Sequence, residues 1–218
     1  MCLAGELAVA CVADLSHLYL YIIYIAIMEI DNIAENSEYQ KMRGERQYRF
    51  DDPVLVQSAT RANALCSKLS TLTLASPDYR STLEQLIPGI PPSSAVNPPF
   101  RCDHGHGITI GHDTFVNYDC IMLDGGRITI GNYCKIGPRC QLVTPQHPID
   151  YEERMQPVET CLPITIGDNC WLGAGVIVCP GVTIGPRSIV AAGSVVIRDV
   201  PADSLVAGNP AVVKRRLR

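Results

Sequence analysis

Paired cysteines are missing from this chain. Of its ten cysteines no two stand in a C-x-x-C arrangement, which removes the usual zinc-site and thioredoxin-like readings. Positive charge is also short: 18 Lys and Arg stand against 22 Asp and Glu, for a net charge of −4 and a pI of about 5.7. A broad nucleic-acid surface is therefore not expected. No lysine or arginine precedes Lys41, so the uncharged run Leu18–Met28 lacks the basic flank of a secretory signal. At eleven residues that run is also short for a membrane span, which takes about 20. No serine or cysteine stands in a nucleophile-elbow context, which favours direct group transfer over an acyl-enzyme.

What the chain does have is a period of six. An aliphatic residue falls at Ile166, Leu172, Val178, Ile184, Val190 and Val196, with glycine following at Gly167, Gly173 and Gly185. Two residues before each aliphatic stands a small or β-branched side chain, from Ile164 and Cys170 to Ser194. A helix would repeat its apolar stripe every three to four residues and a flat strand every two. A period of six fits a solenoid in which each hexapeptide makes one short strand and one turn, with its aliphatic residue pointing to a common axis. Upstream, Ile110, Val116 and Met122 share this phase. Gly125-Gly126 then adds two residues and resets the count to Ile130, Ile136 and Leu142. Cys120, Cys134, Cys140 and Cys170 each sit four places after a core aliphatic, the small inward position, where a thiol packs as a compact hydrophobe. Free buried thiols in such number suit a reducing compartment, so a cytoplasmic location is expected.

The expected organisation has four parts. Residues 1–30 form an apolar extension with three open readings: a start that is not native ahead of Met28, an extra packed segment, or a membrane anchor. Residues 36–99 form a helical module followed by a proline-rich wrap. Asp52-Pro53 is an N-cap with proline at the first helical position, and Val54, Ser58, Ala62, Leu65 and Leu69 mark its narrow face. Ser76-Pro77 repeats the start signal ahead of Leu83, Leu86 and Ile87. Residues 100–199 carry the solenoid, interrupted by an excursion at 143–163 that holds no repeat. Residues 200–218 lead away as a loop and tail ending in Lys214-Arg215-Arg216-Leu217-Arg218, which reads either as solvated or as a contact for a phosphate-bearing ligand.

His147 stands in the excursion, in TPQHPID. A lone histidine is usually a satisfied polar group. A long loop thrown from a rigid scaffold is, however, where function concentrates, and imidazole takes a proton near neutral pH. Asp103, His104, His106 and His112 cluster at the first coil, but their spacing lacks a ligand pattern and no metal is expected. Asn117 reads as a corner residue in place of the repeat's glycine or as a ligand contact. Asp124 reads as a polar turn residue or as a ligand contact. Trp171, the only tryptophan, lies between two inward positions and so faces outward, toward a ligand or a subunit interface.

FRCDHGHGITIG, FVNYDCIMLD, HPID, PITIGDNCWLGAGVIVCPGVTIG and VAGNP, with MRGERQYRFDDPVL near the N-terminus, together resemble the sugar O-acetyltransferases of the maltose and galactoside acetyltransferase group. The resemblance covers about residues 38–215. It implies a left-handed parallel β-helix, a homotrimer with active sites in clefts between subunits, and transfer of acetyl from acetyl-CoA to a small hydroxylated acceptor. By that resemblance His147 is the catalytic base, and Asp103, Asn117 and Asp124 contact the acceptor. Trp171, Ala174, Ala192, Arg198 and Arg215 contact coenzyme A. Three departures stand out: Gly125 where some members carry a second acid, Ile197 for a common threonine and Val212 for a common arginine. The competing readings are a carbonic anhydrase-like metalloenzyme on the same solenoid and a trimeric subunit without turnover.

Overall fold

The computed structural model describes residues 33–218, and the 1–30 extension lies outside the described residues. The hexapeptides fold as the period demands, into a parallel β-helix with three sheet faces. Ile108–Ile110, Ile128–Ile130, Ile164–Ile166 and Thr183–Ile184 stack in parallel on one face. A second face runs from Ala95–Val96 to Ile189–Val190, and a third from Phe100–Cys102 to Val195–Val196. Ile166 pairs with Ile184, so three hexapeptides, or 18 positions, make one coil. Upstream, Ile110 pairs with Ile130 and Met122 with Leu142, a step of 20 that absorbs the two extra residues at Gly125-Gly126. All twelve aliphatic positions, from Ile110 to Val196, are buried in one continuous core. Each contributes about 1.5–3 kcal/mol on burial.

The small inward position does more than pack. The thiols of Cys120, Cys134, Cys140 and Cys170 each donate to a backbone carbonyl of the next coil, on Gly137, Gly167, Gly173 and Gly185, at 3.1–3.2 Å. Ser94, Thr114 and Ser188 hold the same place and donate likewise at 2.6, 2.7 and 3.0 Å. Cysteine therefore acts here as an oversized serine, supplying both volume and a weak donor.

The corners correct the sequence reading. The left-handed backbone falls three residues after the aliphatic, at Asn169, Gly175, Gly181, Arg187 and Gly193, and not at the glycine that follows it. Gly167, Gly173 and Gly185 are glycine for another reason: a Cβ there would lie 2.4–2.7 Å from a backbone nitrogen of the coil above. Asn117 is likewise not a left-handed corner, that conformation being taken by Asp119.

The N-terminal helix Ser37–Arg43 is capped by Asn36, whose side chain accepts from the Tyr39 N–H. Pro53–Leu69 starts at the Asp52 cap as expected, with the Asp52 carboxylate accepting from Val54 N and Leu55 N. Its buried face is Leu55, Ser58, Ala62, Cys66 and Leu69, one position off the expected Val54 and Leu65 at two of five places. Tyr79–Leu86 begins after Ser76-Pro77, because Ser76 spends its carbonyl on Tyr79 N and its hydroxyl on Thr73 N in a preceding turn. The parallel ladder extends beyond both ends of residues 100–199. Ala95–Val96 already pairs with Phe115–Val116, and Ser204–Gly208 pairs in parallel with Ile189–Val190. Ala211–Arg216 then folds back antiparallel on Ser204–Gly208, so the basic tail is a strand and not a loose end.

The excursion is ordered too. Pro145–Gln146 pairs antiparallel with Thr160-Cys161, and Val158–Cys161 pairs on its other edge with Tyr48–Arg49. This three-stranded sheet stands outside the solenoid and ties the excursion to the N-terminal module. Among the described residues no helix is long and apolar enough to cross a membrane.

Candidate active site

The small outer sheet holds His147 in place. The residue follows directly on the Pro145–Gln146 strand, and Glu159 stands in the central strand opposite Tyr48. His147 Nε2 lies 3.8 Å from Glu159 Oε2, an electrostatic contact longer than a hydrogen bond. The other carboxylate oxygen accepts from the Tyr48 hydroxyl. Burial pushes the Tyr48 phenol well above its ordinary range, so the group remains a donor. Phe50 meets the imidazole edge-on with ring centroids 6.0 Å apart. The His147 side chain itself is 56% exposed, its open side facing a cavity of about 800 Å³.

Asp103, His104 and Glu159 line that cavity with His147. The Asp103 carboxyl is raised from 3.8 to about 7, first by burial and then by the charges of Asp124 and Glu159. It is therefore poised between donor and acceptor at neutral pH. Asp124 plays a different part. It is fully buried, and its two oxygens accept from the backbone N–H groups of Asp103, His104 and Gly107 at 2.8–3.1 Å. Its lone pairs are spent on holding the 103–107 turn, and it lines neither this cavity nor the next. Arg43 holds the backbone at Asp124 itself, with Nη1 donating to the carbonyls of Asp124 and Gly125 at 2.7 and 2.9 Å. Gly105 permits the turn: its φ is +80°, and a Cβ would sit 2.2 Å from the Leu86 carbonyl oxygen.

Gly125 also has a steric cause. A Cβ there would fall 2.5 Å from Cys161 Sγ and 3.2 Å from the Tyr48 hydroxyl oxygen. The space that an acidic side chain would need is thus filled by Cys161, a neutral thiol whose pKa burial raises to about 11.

The other expected residues gather elsewhere. Trp171, Ala174, Ala192 and Asn117 line a second, largely apolar cavity of about 580 Å³ on the outer wall of the solenoid. Trp171 is 55% exposed, in register between Lys135 and Ile189. The Asn117 side-chain oxygen accepts from Tyr118 N at 2.8 Å, and its amide N–H groups have no partner among the described residues. Arg198 and Arg215 are exposed and line neither cavity. Arg215 pairs across the terminal hairpin with Leu205, which does line the Trp171 cavity. Ile197 and Val212 are exposed as well. Within one chain, then, His147 and Asp103 share a cavity, while Asn117 and the Trp171 group occupy another.

Tyr48, Glu159 and Phe50 were not singled out from sequence. Glu159 carried one usable signal, an acid within the excursion's VETC strand. Tyr48 carried none, since only the pairing of distant strands brings it to His147. His104 and His106 stack at 5.5 Å, yet among the described residues no group of three or more His, Cys, Asp or Glu is arranged to hold a metal ion.

The profile of the family described as "Bacterial transferase hexapeptide (six repeats)" matches residues 163–198. The acetyltransferase-family protein YJL218W of Saccharomyces cerevisiae is 40% identical over 167 residues, covering 76% of this chain and 85% of that protein. Among solved structures, a maltose O-acetyltransferase from Clostridium difficile superposes with a TM-score of 0.81 at 35% identity, covering 84% of this chain and 98% of that one. A hexapeptide-repeat acetyltransferase of Vibrio cholerae, solved with acetyl coenzyme A, superposes with a TM-score of 0.78 at 38% identity, covering 84% and 100%.

Proposed function

The chain belongs to the hexapeptide-repeat acetyltransferases, and from that premise we propose that it transfers acetyl from acetyl-CoA to a hydroxyl of a sugar or other small hydroxylated molecule, with His147 as general base. One observation carries the reading: an exposed imidazole, backed by the Glu159 carboxylate, shares a cavity with a half-buried carboxyl. With Nε2 directed at Glu159, Nδ1 is left to take the proton of the acceptor hydroxyl. The hydroxyl oxygen attacks the thioester carbonyl, a C–O bond forms, the C–S bond breaks, and the proton passes from His147 to the departing thiolate. General-base assistance of this kind is worth about 10²–10⁴-fold. Holding both substrates in one cleft supplies much of the rest.

Asp103 orients the acceptor. Asp124 acts on it only through the backbone it holds. Trp171, Ala174 and Ala192 form the apolar channel for the pantetheine arm, and the exposed Arg198 and Arg215 contact the phosphates of coenzyme A. A homotrimer reconciles the two cavities, since the Asn117–Trp171 wall of one subunit would close the His147 cavity of the next. The enzyme works in the cytoplasm, where its free thiols stay reduced.

The metalloenzyme reading is set aside, because His106 and the inner nitrogen of His104 are taken up by Arg43 and Ser58. A panel of sugars, glycosides and simple alcohols, assayed with acetyl-CoA for released thiol, tests the proposal. Turnover with at least one polyhydroxylated acceptor is expected, and no thiol release above the acceptor-free rate would refute it.

A further inference from the structure

Four side chains run in sequence from the N-terminal helix to the wall of the His147 cavity. Arg43 Nη2 lies 2.9 Å from His106 Nδ1, His106 Nε2 lies 3.1 Å from Ser58 Oγ, and Ser58 Oγ lies 3.0 Å from His104 Nδ1. Ser58 and His104 are both buried.

One polarity spends every proton between two members of the chain on a partner within it. A guanidinium can only donate, so His106 Nδ1 must accept. A neutral imidazole that accepts on Nδ1 carries its proton on Nε2, and that proton goes to Ser58 Oγ. The serine hydroxyl has one proton to give, and the remaining partner is His104 Nδ1. In this polarity His104 carries its own proton on Nε2. Both rings are held neutral at physiological pH: His104 is pushed down to about 4 by burial, and His106 to about 4 by burial and then by the Arg43 charge.

The end of the chain is unspent. His104 Nε2 has no hydrogen-bond partner among the described residues, and it is not among the sealed polar atoms. His104 lines the His147 cavity beside Asp103. A buried polar group is ordinarily paired, so a fixed donor left at a cavity wall implies that what enters the cavity completes it.

We infer that the Arg43–His106–Ser58–His104 chain sets His104 as a permanent Nε2–H donor to the acceptor, selecting molecules that bring an oxygen lone pair to that point. This rests on the acyl-acceptor reading of the cavity and narrows it. Beside the Asp103 carboxyl, a donor of fixed sense suits a polyol or glycoside, which offers a lone pair to one residue and a hydroxyl proton to its neighbour. A simple alcohol satisfies only one of the two. Ser58, His106 and Arg43 are positioning residues in this scheme, and only His104 touches the acceptor.

The test has two arms. In the first, ¹⁵N-resolved imidazole spectra near neutral pH should show His104 protonated on Nε2 alone, and Ser58→Ala should lose that single tautomer. In the second, an accepted sugar is compared with its singly deoxygenated forms. The wild type should lose about tenfold or more in kcat/KM for one of them, the effect of one missing hydrogen bond. His104→Phe should bring that ratio to within about twofold of unity while acetyl-CoA KM stays within about twofold of the wild type. Ser58→Ala serves for the same comparison if His104→Phe does not fold. A His104 protonated on Nδ1, or charged, or a deoxy-sugar ratio unchanged in both variants, would overturn the inference. A wild type that acetylates none of the sugars while His104 keeps its Nε2–H tautomer would instead overturn the acceptor reading.

Discussion

The His147 imidazole stands 3.8 Å from the Glu159 carboxylate, whose second oxygen takes the Tyr48 hydroxyl. If His147 is the base, the carboxylate stands beside the charge that develops on the ring and engages Nε2, leaving Nδ1 for the acceptor. Glu159→Gln should lower kcat by about threefold to tenfold, as suits a pair with one partner in solvent. KM for acetyl-CoA should not move. Steady-state kinetics with both substrates varied provides the check, and an unchanged kcat would reduce Glu159 to a residue that merely shapes the excursion.

The Asp103 carboxyl makes a separate, thermodynamic prediction. Its pKa is about 7 in the folded protein against 3.8 unfolded. From about pH 4 to 7 the unfolded chain has lost this proton while the folded chain keeps it, so the stability the group contributes is full below the lower value and disappears as pH rises through the higher one. Asp103→Asn removes that loss. Its melting temperature relative to the wild type should therefore climb between about pH 4 and 8, by the equivalent of at most about 4 kcal/mol. A difference that stays flat across that range would show that Asp103 titrates normally.

At the small inward position, Cys140→Ser should be tolerated to within about 1 kcal/mol, because Ser94 and Ser188 already make the same carbonyl bond there. Cys140→Leu adds volume to a closed core and should cost about 1–3 kcal/mol or more. Thermal melts of the two variants side by side decide it. Equal losses would mean that the thiol's chemistry, and not its size, is what the coil requires.

The solenoid was legible because its rule is local: one aliphatic every six residues survives any reading frame, and the two-residue step at Gly125-Gly126 appears in both the sequence and the strand register. The corners were misread because glycine has two uses. At Gly167 it makes room for the coil above, while at Gly175 it permits a positive φ, and sequence does not separate these. The excursion shows no repeat in sequence, and its strands are hidden because their pairing partner, Tyr48–Arg49, lies about a hundred residues away. That same distance hid Tyr48 and Glu159 from the candidate site. Asp124 was found as a residue of interest, but its role as a backbone clamp depends on three N–H groups that no side-chain pattern reveals.

Subunit mixing tests the shared cleft. If His147 and Asn117 meet only across an interface, His147→Ala and Asn117→Ala trimers should each be impaired, yet regain activity when unfolded and refolded together. Random assortment at equal amounts gives intact sites at about one quarter of positions in a cyclic trimer. Activity no higher than the mean of the two separate variants would show that the sites are not shared.

The most direct measurement is kcat of His147→Ala with both substrates saturating. The expected fall is about 10²–10⁴-fold. The acetyl-CoA Kd, the assembled mass and the melting temperature should be preserved, because His147 is exposed on the excursion and Trp171, Ala174 and Ala192 stand on separate coils. Retention of more than about a tenth of wild-type kcat would contradict the assignment and move the search for the base to Asp103.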